Sequence, residues 1–202
     1  DELIPKEYHH RLILGFSIGT LDDKVAKAIE IGASPASLRI EALKQLQDLG
    51  IRTFVMVCPS LPQKDYDGFV RQLIAKIDIS KLEHFYGEVM NVRGKSRTKT
   101  LEALEKAGLV EEAELFKQTF GLAAMTSLSS SGGKKSLRAA IDAVKGPWEH
   151  YARQTFLAYC KHIPASKLRF LQYVKKDTVQ WWADQRPNGA VPLGKIAVDR
   201  MV

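Results

Sequence analysis

The sequence predicts an α/β fold built on parallel strands, and three observations lead there. Three short stretches, residues 11–18, 51–57 and 84–90, are apolar, β-branched or aromatic, as buried strands are. Segments of helical periodicity separate them. Each stretch also ends in small, polar or charged residues: Ser17, Gly19 and Thr20; Cys58, Pro59 and Ser60; Glu88, Asn91 and Arg93. Strand–helix–strand connections cross over right-handedly, so the three strands are expected in one parallel sheet. Their carboxyl ends then share a rim, which is where such folds place ligands. Three strands cannot close a barrel and leave two open edges, so something upstream is expected to complete the layer.

The composition is that of an ordinary globular protein, with 45% hydrophobic and 26% charged residues over 202 positions, enough for one or two small domains. No apolar run approaches the roughly 20 residues that span a bilayer, and no signal peptide is visible at the start. Two cysteines, Cys58 and Cys160, make no disulfide framework and point to a reducing, cytoplasmic setting. The chain begins at Asp1 rather than Met, which reads as a trimmed start. The net charge of +7 is uneven: residues 151–202 hold nine basic and three acidic side chains. Such a stretch is either a polyanion-binding surface or a solvated basic face.

Residues 1–10 are a polar lead-in. His9 and His10 adjoin, but neighbours on an extended strand point to opposite faces, so they make no metal pair. After the 11–18 strand, a short helix over 22–31 is capped near Thr20 and closed by Gly32. Ser34-Pro35 opens a second helix, with Ser at the cap and Pro in the first turn. It runs to Leu49, with Leu38, Ala42, Leu46 and Leu49 facing inward, and stops at Gly50. The 51–57 strand leaves through Pro59 and Pro62, which fix an extended, irregular exit. A third helix spans 66–77, with Phe69, Leu73, Ile74 and Ile77 on one face.

Beyond residue 95 the pattern changes, and a second, basic and mainly helical region is expected over 96–202. Helices are predicted at 98–107, 110–120 and 137–162, the last interrupted at Gly146-Pro147. The Ser- and Gly-rich stretch 126–136 reads as a mobile loop. Its GGKKS resembles a phosphate loop, yet Leu128 stands where the motif requires Gly, and Lys135 displaces the hydroxyl residue. Residues 167–174 alternate as a strand, Trp181 and Trp182 fall in a short helix, and 189–194 form a tail. Cys160 lies in a helix and reads as core.

The string SIGTLDDKVAKAIEIGASPASLRIEALKQLQDLGIRTFVMVCPSLP resembles the C-terminal half of the radical S-adenosylmethionine fold. It is most similar to its spore-photoproduct-lyase-like branch, the relatives of DNA repair photolyases. The matching positions are Ser17, Glu30, Arg39, Gly50-Ile51, Pro59 and Pro62, followed by EVMNVRG at 88–94. The likeness covers residues 11–95. It implies the last three strands of a partial, TIM-like (β/α)6 barrel and a cofactor, S-adenosylmethionine, at the rim. It also implies a [4Fe-4S] cluster that reduces the sulfonium to a 5′-deoxyadenosyl radical. A guanidinium can grip the cofactor's carboxylate bidentately, which makes Arg39 the expected anchor. Ser17, Thr20, Glu30 and Asn91 complete the expected cofactor shell. Cys58 is placed as a hydrogen-atom donor, and Glu88, Arg93, Trp181 and Trp182 as substrate contacts. Plainer roles compete: an ion pair of Arg39 with Glu41 or Asp48, a core thiol at Cys58, a Glu88–Arg93 pair.

The departure from that pattern is large. The cluster needs thiolates at Cys-x-x-x-Cys-x-x-Cys spacing, and the two cysteines here are far apart. The cluster ligands are therefore expected in a missing N-terminal half or a complementing chain, and no metal site is assigned. Three functions compete: part of a radical enzyme with lyase- or repair-like chemistry on nucleic acid, a non-catalytic nucleic-acid-binding module, and a TIM-like enzyme with a phosphate or carboxylate site.

Overall fold

Five strands lie side by side in the computed structural model, which describes residues 4–91, 96–120, 134–174 and 177–193. They are β1 (Ile13–Ser17), β2 (Arg52–Ser60), β3 (Leu82–Val89), β4 (Leu168–Tyr173) and β5 (Ala190–Leu193). All neighbours pair in parallel, in the order of the sequence. Helices α1 (Asp23–Ile29) and α2 (Ala36–Asp48) link β1 to β2, and α3 (Tyr66–Ile74) links β2 to β3. Helices α4 (Ser96–Lys106), α5 (Val110–Thr119) and α6 (Lys134–His162) lead to β4, and α7 (Val179–Asp184) leads to β5.

A strand order that never reverses, joined by right-handed crossovers, lays every connecting helix on the same face of the sheet. Burial alternates accordingly. Val55, Val57, Phe85, Gly87, Leu168 and Phe170 are buried, while Phe54, Met56, His84, Tyr86, Glu88 and Leu171 are half-buried. Register keeps each set together, with Val55 beside Phe85 beside Leu168, and Ser17 beside Met56 beside Tyr86. Parallel sheets are ordinarily covered on both faces. This one carries a helical layer on one face and a half-exposed aromatic row on the other.

Two glycines permit that packing. A Cβ on Gly87 would lie 2.5 Å from the Tyr159 ring, and one on Gly15 would lie 2.2 Å from the Phe54 carbonyl oxygen. On the covered face, α6 supplies Trp148, Tyr151, Phe156 and Tyr159, all buried. Phe156 packs on Phe170 at 5.2 Å, and Trp182 of α7 stacks on Phe170 at 5.8 Å.

Several expectations are corrected. The expected strand at 167–174 is β4, but it pairs with β3 rather than standing in a separate helical region, so β4 and β5 extend the sheet across residue 95, and the supposed tail is β5. The first strand is not buried along its length: Ile13 and Leu14 are 41% and 39% exposed, since β1 is an edge strand. The polar lead-in is a 3-10 turn at Lys6–Arg11, in which His9 Nε2 bonds the Ile4 carbonyl at 3.0 Å. β2 continues through Cys58 and Pro59 to Ser60. Helix α6 runs through Gly146-Pro147 unbroken, because the aromatic face beyond Pro147 anchors it to the sheet and tertiary packing overrides propensity. The expected loop reaches into this helix at 134–136, and its remainder lies outside the described residues.

The largest correction concerns α2. Leu38 and Leu49 are 60% and 52% exposed, whereas Ala36, Arg39, Ile40, Leu43 and Gln47 are buried. Gln47 tolerates burial because all its polar capacity is used. Its Nε2 donates to Thr53 Oγ1 at 3.1 Å and to the Asp78 carbonyl at 2.9 Å, and its Oε1 accepts from Asp78 N at 3.0 Å. Ser34 is not the cap either. Asp23 takes Ser37 N at 2.9 Å and Ser37 Oγ at 2.5 Å.

Candidate functional site

The first polar cluster forms where β1 ends. Arg39, in the second turn of α2, reaches back across the sheet edge and is only 9% exposed. Its Nη1 donates to the Ser17 carbonyl at 2.7 Å, and its Nη2 forms an ion pair with Glu30, just after α1. The partner is thus Glu30, not Glu41 or Asp48. Among the described residues, Arg39 Nε is buried without a hydrogen-bond partner. Ser17 Oγ donates to the Cys58 carbonyl at 3.5 Å, which ties the β1 tip to β2. Three expected cofactor residues therefore meet in one place.

Thr20 does other work. It is buried, and its Oγ1 accepts from Asp22 N at 3.1 Å, shaping the turn that lets Asp22 cap α1. Thr20 also lines a cavity of about 350 Å³ with Leu61, Phe69, Leu104 and Phe116, between α1, α3 and the α4–α5 pair. Ser17, Arg39 and Asn91 do not line it.

The second cluster spans the tips of β2 and β3. Cys58 sits where the register shifts between Val57 and Ser60. Burial, with the Glu88 charge nearby, pushes its thiol up to about 12. Burial also raises Glu88 above the usual carboxylate value. Cys58 is thus a protonated S–H at neutral pH rather than a thiolate. Asn91 is half-buried two residues past β3, and Arg93 lies outside the described residues.

Behind these tips is a buried hydrogen-bond network that sequence reasoning did not assign to the site. Tyr151 OH donates to the Ser60 carbonyl and accepts from Met90 N at 3.4 Å. Trp148 Nε1 donates to the Met90 carbonyl at 2.9 Å. Ser60 Oγ donates to the Val57 carbonyl at 2.9 Å, so Tyr159 OH, 2.6 Å away, is the donor to Ser60 Oγ. Burial holds both phenols well above their ordinary range, so they remain donors. The available signal was the spacing of residues 148, 151, 155 and 159, which puts them on one helical face.

The tryptophans expected to contact substrate belong elsewhere. Trp182 is fully buried and donates Nε1 to Glu149 Oε1 at 2.9 Å. Trp181 is half-buried under the Arg153 guanidinium, 4.4 Å from its ring centre. Both pack with Phe156 on the helix-covered side of the sheet, because an indole buries more apolar area there than a rim can offer.

The residues present do not fit an iron–sulfur cluster. Cys58 on β2 and Cys160 on α6 are free thiols, and Cys160 donates to the Asn188 carbonyl at 3.6 Å. Among the described residues, no group of three or more His, Cys, Asp or Glu could hold a metal ion. Nor, among them, is any helix long and apolar enough to cross a membrane.

No family model matches the chain, and no solved structure matches it significantly. A 92-residue segment, 44% of this chain, is 29% identical to "Uncharacterized protein ORF301" of Acidianus two-tailed virus. The chain spans about a third (31%) of the length of that relative.

Proposed function

We propose that this chain is an arc of a TIM-like (β/α) enzyme that binds a small carboxylate-bearing ligand at the carboxyl ends of β1–β3. The supporting observation is the sheet itself. Five parallel strands in unreversed order put helices on one face and leave the other half-exposed, as the inner wall of a barrel segment is. Ser17, Cys58, Glu88 and Asn91 fall at its carboxyl ends, where barrel enzymes bind ligands. Arg39 Nε, a buried donor still without an acceptor, adds a reason for an anionic group to settle beside Ser17. Two free thiols are in keeping with the cytoplasm.

Within this reading, the resemblance of residues 11–95 specifies S-adenosylmethionine. The meeting of Ser17, Glu30 and Arg39 favours that choice, since all three stood in the resembling string. When bound, that cofactor supplies a reactive sulfonium and an adenosyl group. The chain's own residues would orient it: Arg39 and Ser17 at the methionine end, and Asn91 at an adenine or ribose edge. Cys58, protonated at neutral pH, would offer an S–H hydrogen atom and not a thiolate nucleophile. The iron–sulfur ligands would belong to another segment or chain. A nucleic-acid partner draws support from the basic residues of 151–202 alone, since Trp181 and Trp182 are committed to the core.

Calorimetric titration with S-adenosylmethionine tests the proposal. Saturable binding is expected, weakened about tenfold by Asn91→Ala. Binding of inorganic phosphate instead would move the site to a phosphate-handling barrel. Binding to single-stranded DNA alone, falling steeply with salt, would sink the rim as a small-molecule site.

A further inference from the structure

The carboxyl ends of β2 and β3 carry Cys58, Glu88 and Asn91, and strand pairing gives out at these ends. Regular pairing is interrupted between Val57 and Ser60, and β3 stops at Val89. Beyond the last pairs, Ser60 with Val89 and Glu88 with Leu171, α6 ties the two tips. Tyr151 bridges them with a single phenol, donating to the Ser60 carbonyl and accepting from Met90 N. Trp148 holds the other side of the Met90 peptide through its carbonyl, and Tyr159 grips the Ser60 hydroxyl. Both polar groups of Met90, immediately before Asn91, are thereby fixed from the helix rather than from a strand. Trp148, Tyr151 and Tyr159 are 2%, 2% and 1% exposed, so water does not compete for these bonds.

The geometry points to Trp148 and Tyr151 as positioning residues for the rim: they set where Asn91 stands relative to Cys58 and Glu88 without touching a ligand themselves. This rests on the proposal that the rim is a ligand site. A core helix needs only apolar surface to pack on a sheet. Here three aromatic side chains, Trp148, Tyr151 and Tyr159, spend their polar atoms on two strand tips, one of them at a register shift. Preorganised sites depend on such supporting bonds, because a displacement of about 1 Å at a binding group can cost most of its interaction.

The test uses the 202-residue chain and three variants, Trp148→Phe, Tyr151→Phe and Phe156→Leu, the last a core change on the same helix outside the network. Hydrogen exchange at Met90 N, whose acceptor is Tyr151 OH, reports on the clamp with no ligand present. Calorimetry with S-adenosylmethionine reports on the rim. Tyr151→Phe and Trp148→Phe are expected to speed Met90 exchange and weaken binding, each about tenfold, with Tm within about 3 °C of the parent. Phe156→Leu should lower Tm and leave affinity unchanged. Unaltered Met90 exchange in Tyr151→Phe overturns the inference, as does an affinity loss that merely tracks Tm across all three variants. If the parent chain fails to bind the cofactor, the ligand assignment falls, and the exchange measurement alone decides the clamp.

Discussion

Arg39 brings a full positive charge into a place nine-tenths removed from water, and two of its nitrogens are engaged there. Nη1 holds the Ser17 carbonyl at the end of the edge strand, and Nη2 holds Glu30. Arg39→Met keeps the apolar stem but leaves that carbonyl unpaired and strands the Glu30 carboxylate. Losing one partner of a buried pair costs several kcal/mol. Glu30 keeps a quarter of its side chain in solvent, so a loss of about 2 kcal/mol is expected. Urea denaturation should read it as a lower midpoint at unchanged slope. Arg39→Lys should recover only part, because one ammonium cannot reproduce a planar fork. Full stability in Arg39→Met would mean the guanidinium is not a brace for the β1 tip. That Arg39 reaches the end of the first strand was legible in the sequence, but its partner was not. Glu30 lies nine positions away on the far side of a turn, and within α2 no carboxylate stands three or four residues from Arg39 to suggest a partner.

Between elements, the tie that joins α3 to α6 is electrostatic at its rim. Asp67 accepts from His162 Nε2 at 2.9 Å and lies 3.4 Å from Lys161 Nζ. The His162 hydrogen bond, with Lys161 behind it, holds the Asp67 carboxyl below its ordinary value of 3.8. A carboxyl depressed in the folded chain contributes stability above its unfolded value and loses it as pH falls through the folded one. Thermal melts should therefore show an acid limb opening below about pH 4, and Asp67→Asn should flatten it while leaving a lower Tm at pH 7. An unchanged acid limb in Asp67→Asn would mean that other carboxylates, Asp23 or Asp78, dominate it. The first three strands and five helices were legible because apolar period and turn chemistry agreed there. The inward face of α2 was not, since reading leucines as buried discounts a glutamine that finds three partners. Strand β4 was also legible, in the alternation of 167–174, but β5 and the joining of both strands to the sheet were hidden for a different reason. They are short, six and four residues, and their pairing to β3 is a long-range event after three helices.

Taken whole, the sheet has unequal edges. β5 is four residues long and carries Pro192, which cannot donate to a ladder and so discourages further pairing. β1 has no proline, and its exposed residues include Ile13 and Leu14. Ile4, Tyr8, Ile31, Leu38 and Leu49 are also exposed, all within the first 49 residues. Of the ten large hydrophobic residues left exposed among the described residues, seven lie between positions 4 and 49. An unprotected strand edge and an exposed apolar helix stripe are both associating features. The chain as it stands is therefore expected to self-associate with rising concentration through these features. Light scattering behind size exclusion should report a mass that grows with loading. Leu14→Lys and Leu38→Lys place charge on the edge strand and on the outer face of α2, and each should return the chain toward monomer. Val110→Lys, on α5 and away from this edge, should change nothing. Equal effects of all three would point to general solubility rather than to these features. A concentration-independent monomer mass for the parent chain would mean that the Leu38–Leu49 stripe stays solvated, as its placement outside the core permits.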